Sequence, residues 1–310
     1  MVLVYKNMEV SLKVIRRVVP PVPAEALPLQ METIGISPEQ EPIQRPQGYP
    51  CYHWLLTLEG EGELRTDGLS FKLPERSGIL LPPWRRHFYF AKSTLWKTSY
   101  VTFTGTMADG LVSELIGTLP SKLHWDGSEN AIKEQMDLML RLAESGDDAS
   151  GWQSSAELYR FLTLLRTYGR SNHLPSLNQR LERVQDLLQW LEKEYANPDL
   201  GLAVMADRLG IGERQLNERF RQSFGQTAYA YLIQLRLRKA KEWLPSRPDW
   251  SVRKIGESVG FRDPSHFVAT FRQKEGLTPE QYRRLHGPSP VAADEEEAAA
   301  LRLHPRKSDT

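Results

Sequence analysis

Residues 203–224 and 253–275 carry nearly the same pattern twice. Ala206, Leu209 and Gly210 lead to Leu216, Phe220–Arg221–Gln222 and Gly225–Gln226–Thr227; Gly256, Val259 and Gly260 lead to Phe267, Phe271–Arg272–Gln273 and Gly276–Leu277–Thr278. An internal repeat constrains a fold more than composition does, because both copies must bury the same face in the same way. The unit is a helix, a tight turn at glycine and a second helix. A small residue four before the turn glycine (Ala206, Gly256) lets the two helices cross closely, and Gly210 and Gly260 supply the positive φ of the reversal. The second helix is expected over Glu213–Phe224, with Leu216, Phe220 and Phe224 as its apolar stripe, and over Pro264–Glu275, with Phe267 and Phe271. Asp263 before Pro264 reads as an N-cap with proline at the first helical position, and Gly225 and Gly276 end the two helices.

The free face of the first of these helices offers Arg214, Gln215, Asn217, Glu218 and Arg221; that of the second offers Ser265, His266, Val268, Ala269 and Arg272. Such side chains bond base edges, touch thymine methyls or reach phosphate, so the ten are candidate DNA-binding residues. Between the copies, Thr227–Leu244 reads as one helix that buries Tyr231, Leu232, Leu235, Leu237 and Ala240 and turns Arg236, Arg238, Lys239 and Lys241 to a basic side. At about 27 Å it is long enough to set two helices in successive major grooves, about 34 Å apart. Residues 178–287 hold 19 Lys and Arg against 14 Asp and Glu, a net of +5, whereas the whole chain is only +1. Basic charge is thus concentrated where a phosphate backbone needs it.

These residues resemble the AraC/XylS-type transcription regulators. The resemblance runs from Asp199–Leu200 to Gly210, through Arg236–Leu237–Arg238–Lys239–Ala240 and Ile255–Gly256 to Phe261, and closes on Phe271 to Pro279 with Tyr282–Arg283. It implies promoter binding through both second helices. One departure is Gly212–Glu213, where that family more often has a serine-type cap.

Ahead of the repeat, a proline-rich stretch over residues 20–50 gives way to short strands. Tyr52–Leu58, Glu63–Thr66, Leu69–Leu73 after a turn at Asp67–Gly68, Ile79–Leu81, Arg86–Ala91 and Trp96–Phe103 suggest a small antiparallel barrel. Arg45–Pro46–Gln47–Gly48, Thr57 to Gly62, Pro82–Pro83 with His87, and Val101 to Gly105 resemble the cupin-like sensor domain of the same regulators, with Arg76–Ser77 in place of the usual glycine-aspartate. By that resemblance Arg45 lies on an arm entering the barrel, with Tyr89 and Tyr100 on lining strands and Thr98 a lesser member of the wall. Arginine with aromatics suits a hydroxylated or carboxylated ligand. Tyr89 and Tyr100 serve equally as core fillers, with Arg45 a surface charge, and that reading stays open.

Asp126–Leu142 and Trp152–Tyr168 read as amphipathic helices, marked by Ile132, Met136, Met139 and Leu140 and by Leu158, Phe161, Leu162 and Leu165. They pack on the barrel or, as the resemblance suggests, pair with a second copy. Ser171–Leu177 reads as a linker, Leu181–Tyr195 as the helix opening the DNA-binding domain, and the tail beyond Gly287 as disordered.

The expected fold is multidomain α and β: an N-terminal antiparallel cupin-like β-barrel with two following helices, and a C-terminal all-α domain with two helix-turn-helix units. The expected boundaries are 1–105 for the sensing barrel with its arm, 106–170 for a helical linker and dimerisation region, 171–177, 178–287 and 288–310. His53 and His87 stand alone and no His-x-His occurs, so no metal is expected; no catalytic constellation or phosphate loop occurs, so neither cofactor nor enzyme activity is expected. A single cysteine, Cys51, and a first twenty residues carrying Lys6, Glu9 and Lys13 fit a cytoplasmic protein without signal peptide or membrane span. The expected partners are duplex promoter DNA, a small-molecule effector with a sugar among the candidates, a second copy of the chain, and RNA polymerase. Two other readings stand beside this one: a constitutive regulator whose barrel only dimerises, and a cupin enzyme fused to a DNA-binding module.

Overall fold

A computed structural model describes residues 16–125, 131–171 and 176–287. The chain forms two compact units, one ending at Gln179 and the other beginning at Arg180. Expectations that fall on residues 1–15, 126–130, 172–175 and 288–310 lie outside the described residues. Among the described residues no helix is long and apolar enough to cross a membrane.

The first unit is an eight-stranded antiparallel sheet: β1 (Arg16–Val18), β2 (Gln30–Ser37), β3 (Ile43–Arg45), β4 (Tyr52–Thr66), β5 (Leu69–Pro74), β6 (Ser77–Leu81), β7 (His87–Thr104) and β8 (Ser121–His124). Its main path runs β1-β2-β7-β4-β6-β8, with β3 paired to β7 and β5 to β4. The runs expected at Tyr52–Leu58 and Glu63–Thr66 are one strand, as are those at Arg86–Ala91 and Trp96–Phe103. Register shifts between Thr57 and Glu59 and between Gly60 and Gly62 bend this long pair, and the sequence there imitates a turn.

Alternation along the strands divides the side chains between two cores. Trp54 and Leu56 of β4, Leu80 of β6 and Val101 and Phe103 of β7 lie in one cluster with helices α2 (Ala131–Ser145) and α3 (Trp152–Tyr168). Leu55, Leu64, Ile79, Leu81, Tyr89 and Trp96 form the other, inside the folded sheet. The first cluster also takes Ala108 and Val112 of α1 (Ala108–Leu115), a helix the sequence reading did not anticipate. Three strands were also unanticipated in the arm (β1, β2 and β3), and β8 adds a short strand to the region expected as a helical linker, residues 106–170. That strand is four residues long, too short for its alternation to stand out.

The second unit is all-α: α4 (Leu177–Glu194), α5 (Leu202–Arg208), α6 (Glu213–Phe224), α7 (Ala228–Ser246), α8 (Val252–Ser258), α9 (Pro264–Glu275) and α10 (Pro279–His286). Helix α4 starts at Leu177, earlier than the expected Leu181, because Ser176 and Gln179 cap it reciprocally. Ser176 Oγ accepts from the Gln179 N–H at 3.2 Å, and Gln179 Oε1 accepts from the Ser176 N–H at 3.3 Å. The helices surround two cores. Val184, Leu187, Leu191, Met205, Leu216, Phe220 and Leu232 build one; Leu237, Ala240, Leu244, Ile255, Phe267 and Phe271 build the other. Helix α7 supplies both and is the spine of the unit. Tyr231 is half-buried rather than buried, its ring against Phe220 and Phe224. Arg236 is a second correction: it is only 3% exposed, not part of the basic side.

Candidate functional site

The two halves of the second unit are built alike down to the backbone. In α5–α6 the Gly210 N–H donates to Asp207 C=O and the Ile211 N–H to Ala206 C=O; in α8–α9 the Gly260 N–H donates to Glu257 C=O and the Phe261 N–H to Gly256 C=O. Both glycines have positive φ, 63° and 94°. A Cβ on Gly256 would stand 2.7 Å from Phe267 Cδ1, which explains the smallest residue at that crossing. The second turn is one residue longer and ends in Asp263, whose carboxylate caps the Ser265 N–H at 2.8 Å; Gly212 offers α6 no side-chain cap.

Helices α6 and α9 bury Leu216 with Phe220, and Phe267 with Phe271, and leave the opposite faces open. Arg214, Gln215, Glu218 and Arg221 are exposed on α6; Ser265, His266, Ala269 and Arg272 are exposed on α9. Two of the ten candidates serve their own unit in part. Asn217 is half-buried and its Oδ1 accepts from the Ala228 N–H at 3.1 Å, capping the start of α7. Val268 is half-buried against the second core. Between the halves, Arg236 donates from Nε to Tyr195 C=O at 2.8 Å and from Nη2 to Asn197 C=O at 2.7 Å. Arg262, within the second turn, donates to Pro198 C=O at 3.2 Å and pairs with Asp199. The sequence reading missed both roles; the only signal was an arginine beside the apolar rows of α7.

In the first unit, Arg45, Tyr89 and Tyr100 line one cavity of about 190 Å³, together with Arg17, Thr33, Gln40, Tyr49 and His53. This volume falls below that of sites for drug-sized molecules and suits a small ligand. The Arg45 guanidinium lies 4.3 Å from the centroid of the Tyr49 ring, and its Nη1 donates to His53 Nδ1 at 3.4 Å. Tyr49 in turn donates to Glu32 at 2.7 Å. Burial, then the Glu32 bond, pushes the Tyr49 hydroxyl up to about 12. Burial, with a smaller contribution from Tyr100, pushes Tyr89 up to about 12 against the opposing pull of Arg45. Both phenols therefore stay neutral donors at pH 7.

His53, 1% exposed, is missing from the expected site and lies at its floor. Burial, then Arg45 and His87, hold its imidazole well below the usual histidine range, so it is neutral. His87 is depressed for the same first reason, and its Nδ1–H donates to Arg85 C=O at 2.7 Å. The two ring centroids are 5.6 Å apart, and among the described residues no three His, Cys, Asp or Glu side chains converge. Thr98 does not line the cavity. It is fully buried and donates to Gln40 Oε1 at 2.6 Å, so it positions the Gln40 amide that does. The cavity thus presents the Arg17 and Arg45 guanidinium groups, neutral phenols, a neutral imidazole, an amide and, from Glu39 and Glu41, two carboxylates, a mixed set of donors and acceptors that bonds hydroxyl groups, with the arginines able to meet a carboxylate.

Comparison with known proteins finds the same two parts. A family described as the AraC-like ligand binding domain matches residues 37–162, and one described as a helix-turn-helix domain matches residues 205–285. The HTH-type transcriptional activator RhaS of Escherichia fergusonii is 27% identical over 267 residues, 83% of this chain and 94% of that protein. RhaS of Enterobacter sp. (strain 638) is 24% identical over 259 residues, 81% of this chain and 92% of that protein. Among solved structures, the C-terminal domain of the two-component response regulator yesN from Fusobacterium nucleatum is 32% identical, covering 32% of this chain and 97% of that one with a TM-score of 0.31.

Proposed function

The chain belongs to the AraC/XylS-type transcriptional regulators, and on that premise we propose that it is a ligand-responsive, sequence-specific DNA-binding regulator, an activator like its relatives. The observation that carries the reading is the pair of like-built helices, α6 and α9, whose exposed faces hold Arg214, Gln215, Glu218, Arg221, Ser265, His266, Ala269 and Arg272. Each enters a major groove, with Val268 at the edge of the contact and Asn217 given over to holding α7. Residues 178–287 are the DNA-binding domain, and the unit before them is the sensor.

In the sensor, Arg45, Tyr89 and Tyr100, with His53 and the Gln40 held by Thr98, bind a small hydroxylated or carboxylated effector, a sugar foremost. The neutral donors around Arg45 support this. Binding shifts a population between DNA-bound arrangements and performs no chemistry. The exposed rings of Trp152, Tyr159 and Tyr168 on α3 support pairing with a second copy. RNA polymerase is the further partner that activation requires.

The test is a DNA-protection footprint of the purified protein on its own upstream region, with and without a panel of sugars. Protection of two successive major grooves per protomer, altered by one sugar, is the expected result. Protection that no sugar alters removes the sugar and keeps the DNA reading. In the same assay Arg272→Ala and His266→Ala weaken binding to the protected sequence far more than to random DNA; equal losses on both would reduce these side chains to phosphate contacts.

A further inference from the structure

The faces of α6 and α9 are alike in position and unlike in chemistry. Arg221 and Arg272 occupy the same place in the two copies, and Gln215 answers to His266. The other positions diverge: Arg214 against Ser265, Glu218 against Ala269, Asn217 against Val268. On α6 the Asn217 amide oxygen is spent on the Ala228 N–H, so of the diverging positions the charged pair Arg214 and Glu218 is left to read, beside Gln215 and Arg221. Gln222, one turn on, donates to Glu218 Oε1 at 3.4 Å and steadies the carboxylate on that face. On α9 the small side chains open a recess of about 540 Å³ lined by Ser265, Val268, Ala269, Arg272 and Thr278.

Resting on the DNA-binding reading above, we propose that the two helices take DNA segments of unlike composition: α6 a block of G·C pairs, α9 a run of thymines, each closed by a guanine. Arginine bonds guanine O6 and N7 as a fork, and a carboxylate accepts from cytosine N4, so Arg214 and Glu218 together select G·C pairs. Beside phosphates a carboxylate is repelled unless an amino group meets it, which sets Glu218 against guanine and thymine, and the N7 acceptor beside the amino group of adenine sets it against adenine as well. Val268 and Ala269 present methyl groups, and their recess admits the C5-methyls of thymines that a longer side chain would exclude. Arg221 and Arg272 supply the guanine common to both segments.

The experiment is selection of bound duplexes from a randomised library by the full-length protein, followed by affinity measurement on the enriched sequence. Two blocks about one helical turn apart are expected, one dominated by G·C and one with consecutive thymines. Replacing thymine by deoxyuridine, which removes only the methyl, lowers affinity about fourfold per position in the thymine block and leaves it unchanged elsewhere. The double change Ser265→Arg with Ala269→Glu converts the thymine block to a G·C preference, and Glu218→Ala relaxes the cytosine position. Two blocks of the same composition, or a thymine block indifferent to uracil, would overturn the proposal while leaving the DNA reading intact. No enriched sequence at all would overturn both.

Discussion

Two arginines of α7 sit two residues apart, and the structure gives them very different weights. Arg238 pairs with Glu192 at the surface, its side chain 53% exposed, and such pairs contribute about 0–1 kcal/mol. Arg236 is buried, and burial lowers its pKa; its guanidinium nonetheless stays charged and donates to two carbonyls just past the end of α4. Arg236→Met removes both donors and keeps the stem. Each carbonyl left without a partner costs about 1–3 kcal/mol, offset in part because a buried charge no longer has to be desolvated. A net loss of about 3 kcal/mol follows, or about a hundredfold in the opening equilibrium. Hydrogen exchange read on peptides from α4 and α7 measures this within the second unit, independent of the sheet. Exchange of the α4 and α7 core amides should accelerate about a hundredfold in Arg236→Met and less than about tenfold in Arg238→Ala. Equal accelerations in the two variants would refute the claim that burial, rather than charge, gives Arg236 its weight.

His53 and His87 have folded pKa values held below the unfolded value, so the unfolded chain binds protons that the folded sheet refuses. Stability of the first unit therefore falls as pH drops below about 6.5, by up to about 1.4 kcal/mol per pH unit for each histidine. The melting temperature should decline between pH 7.5 and 5.5, and less steeply in His53→Gln; parallel profiles would count against it. Gly256→Ala places a Cβ 2.7 Å from the fully buried Phe267 ring and should cost about 1–3 kcal/mol in urea unfolding; an unchanged midpoint would mean the crossing is loose. Thr98→Val removes the donor to Gln40 and should weaken binding of the effector that alters the footprint by about two- to tenfold without moving Arg45. An unaffected affinity would take Gln40 out of the site.

The second unit was more legible in the sequence than the first, for a physical reason. Helix signals are local: the apolar stripes of α6 and α9, the caps at Asp263 and the left-handed Gly225 and Gly276 all lie within a few residues of what they fix. Helix α10 carried an equally local signal that went unread, the Thr278–Pro279–Glu280–Gln281 capping box. The sheet was harder because pairing fixes it at long range. Strand β2 buries Thr33, Ile34 and Gly35 in a row after a register shift between Met31 and Thr33, so its alternation is broken, and it sits among prolines that lie outside its hydrogen-bonded run. For the candidate site, Arg45, Tyr89 and Tyr100 were found, whereas His53 and the true position of Thr98 were not. Both follow from the register of β4 against β7, where His53 pairs with Thr102 and Thr57 with Thr98 across the bulged pair. Asn217 and Arg236 share a different cause: each is a polar residue used inside the fold, which composition scores as surface.

The turn glycines show how one motif meets two demands. A Cβ on Gly210 would meet nothing within 4 Å, so its positive φ alone accounts for it. A Cβ on Gly260 would fall 2.5 Å from Tyr195 O and 2.9 Å from Arg236 Nε, so this glycine also clears a path for the guanidinium. The carbonyls that Arg236 binds lie just beyond the C-terminal, negative end of the α4 dipole, where a cation is favoured. An aliphatic residue there would fuse the two cores and leave those carbonyls bare. A charged node instead keeps the cores separate and fixes one against the other through directional bonds, trading some stability for a single arrangement. On the DNA-binding reading proposed above, α6 and α9, with α7 about 28 Å long between them, would meet DNA as one rigid reader. Because their faces differ in chemistry, that rigidity would give such a reader a direction along the duplex, which two identical faces would lack.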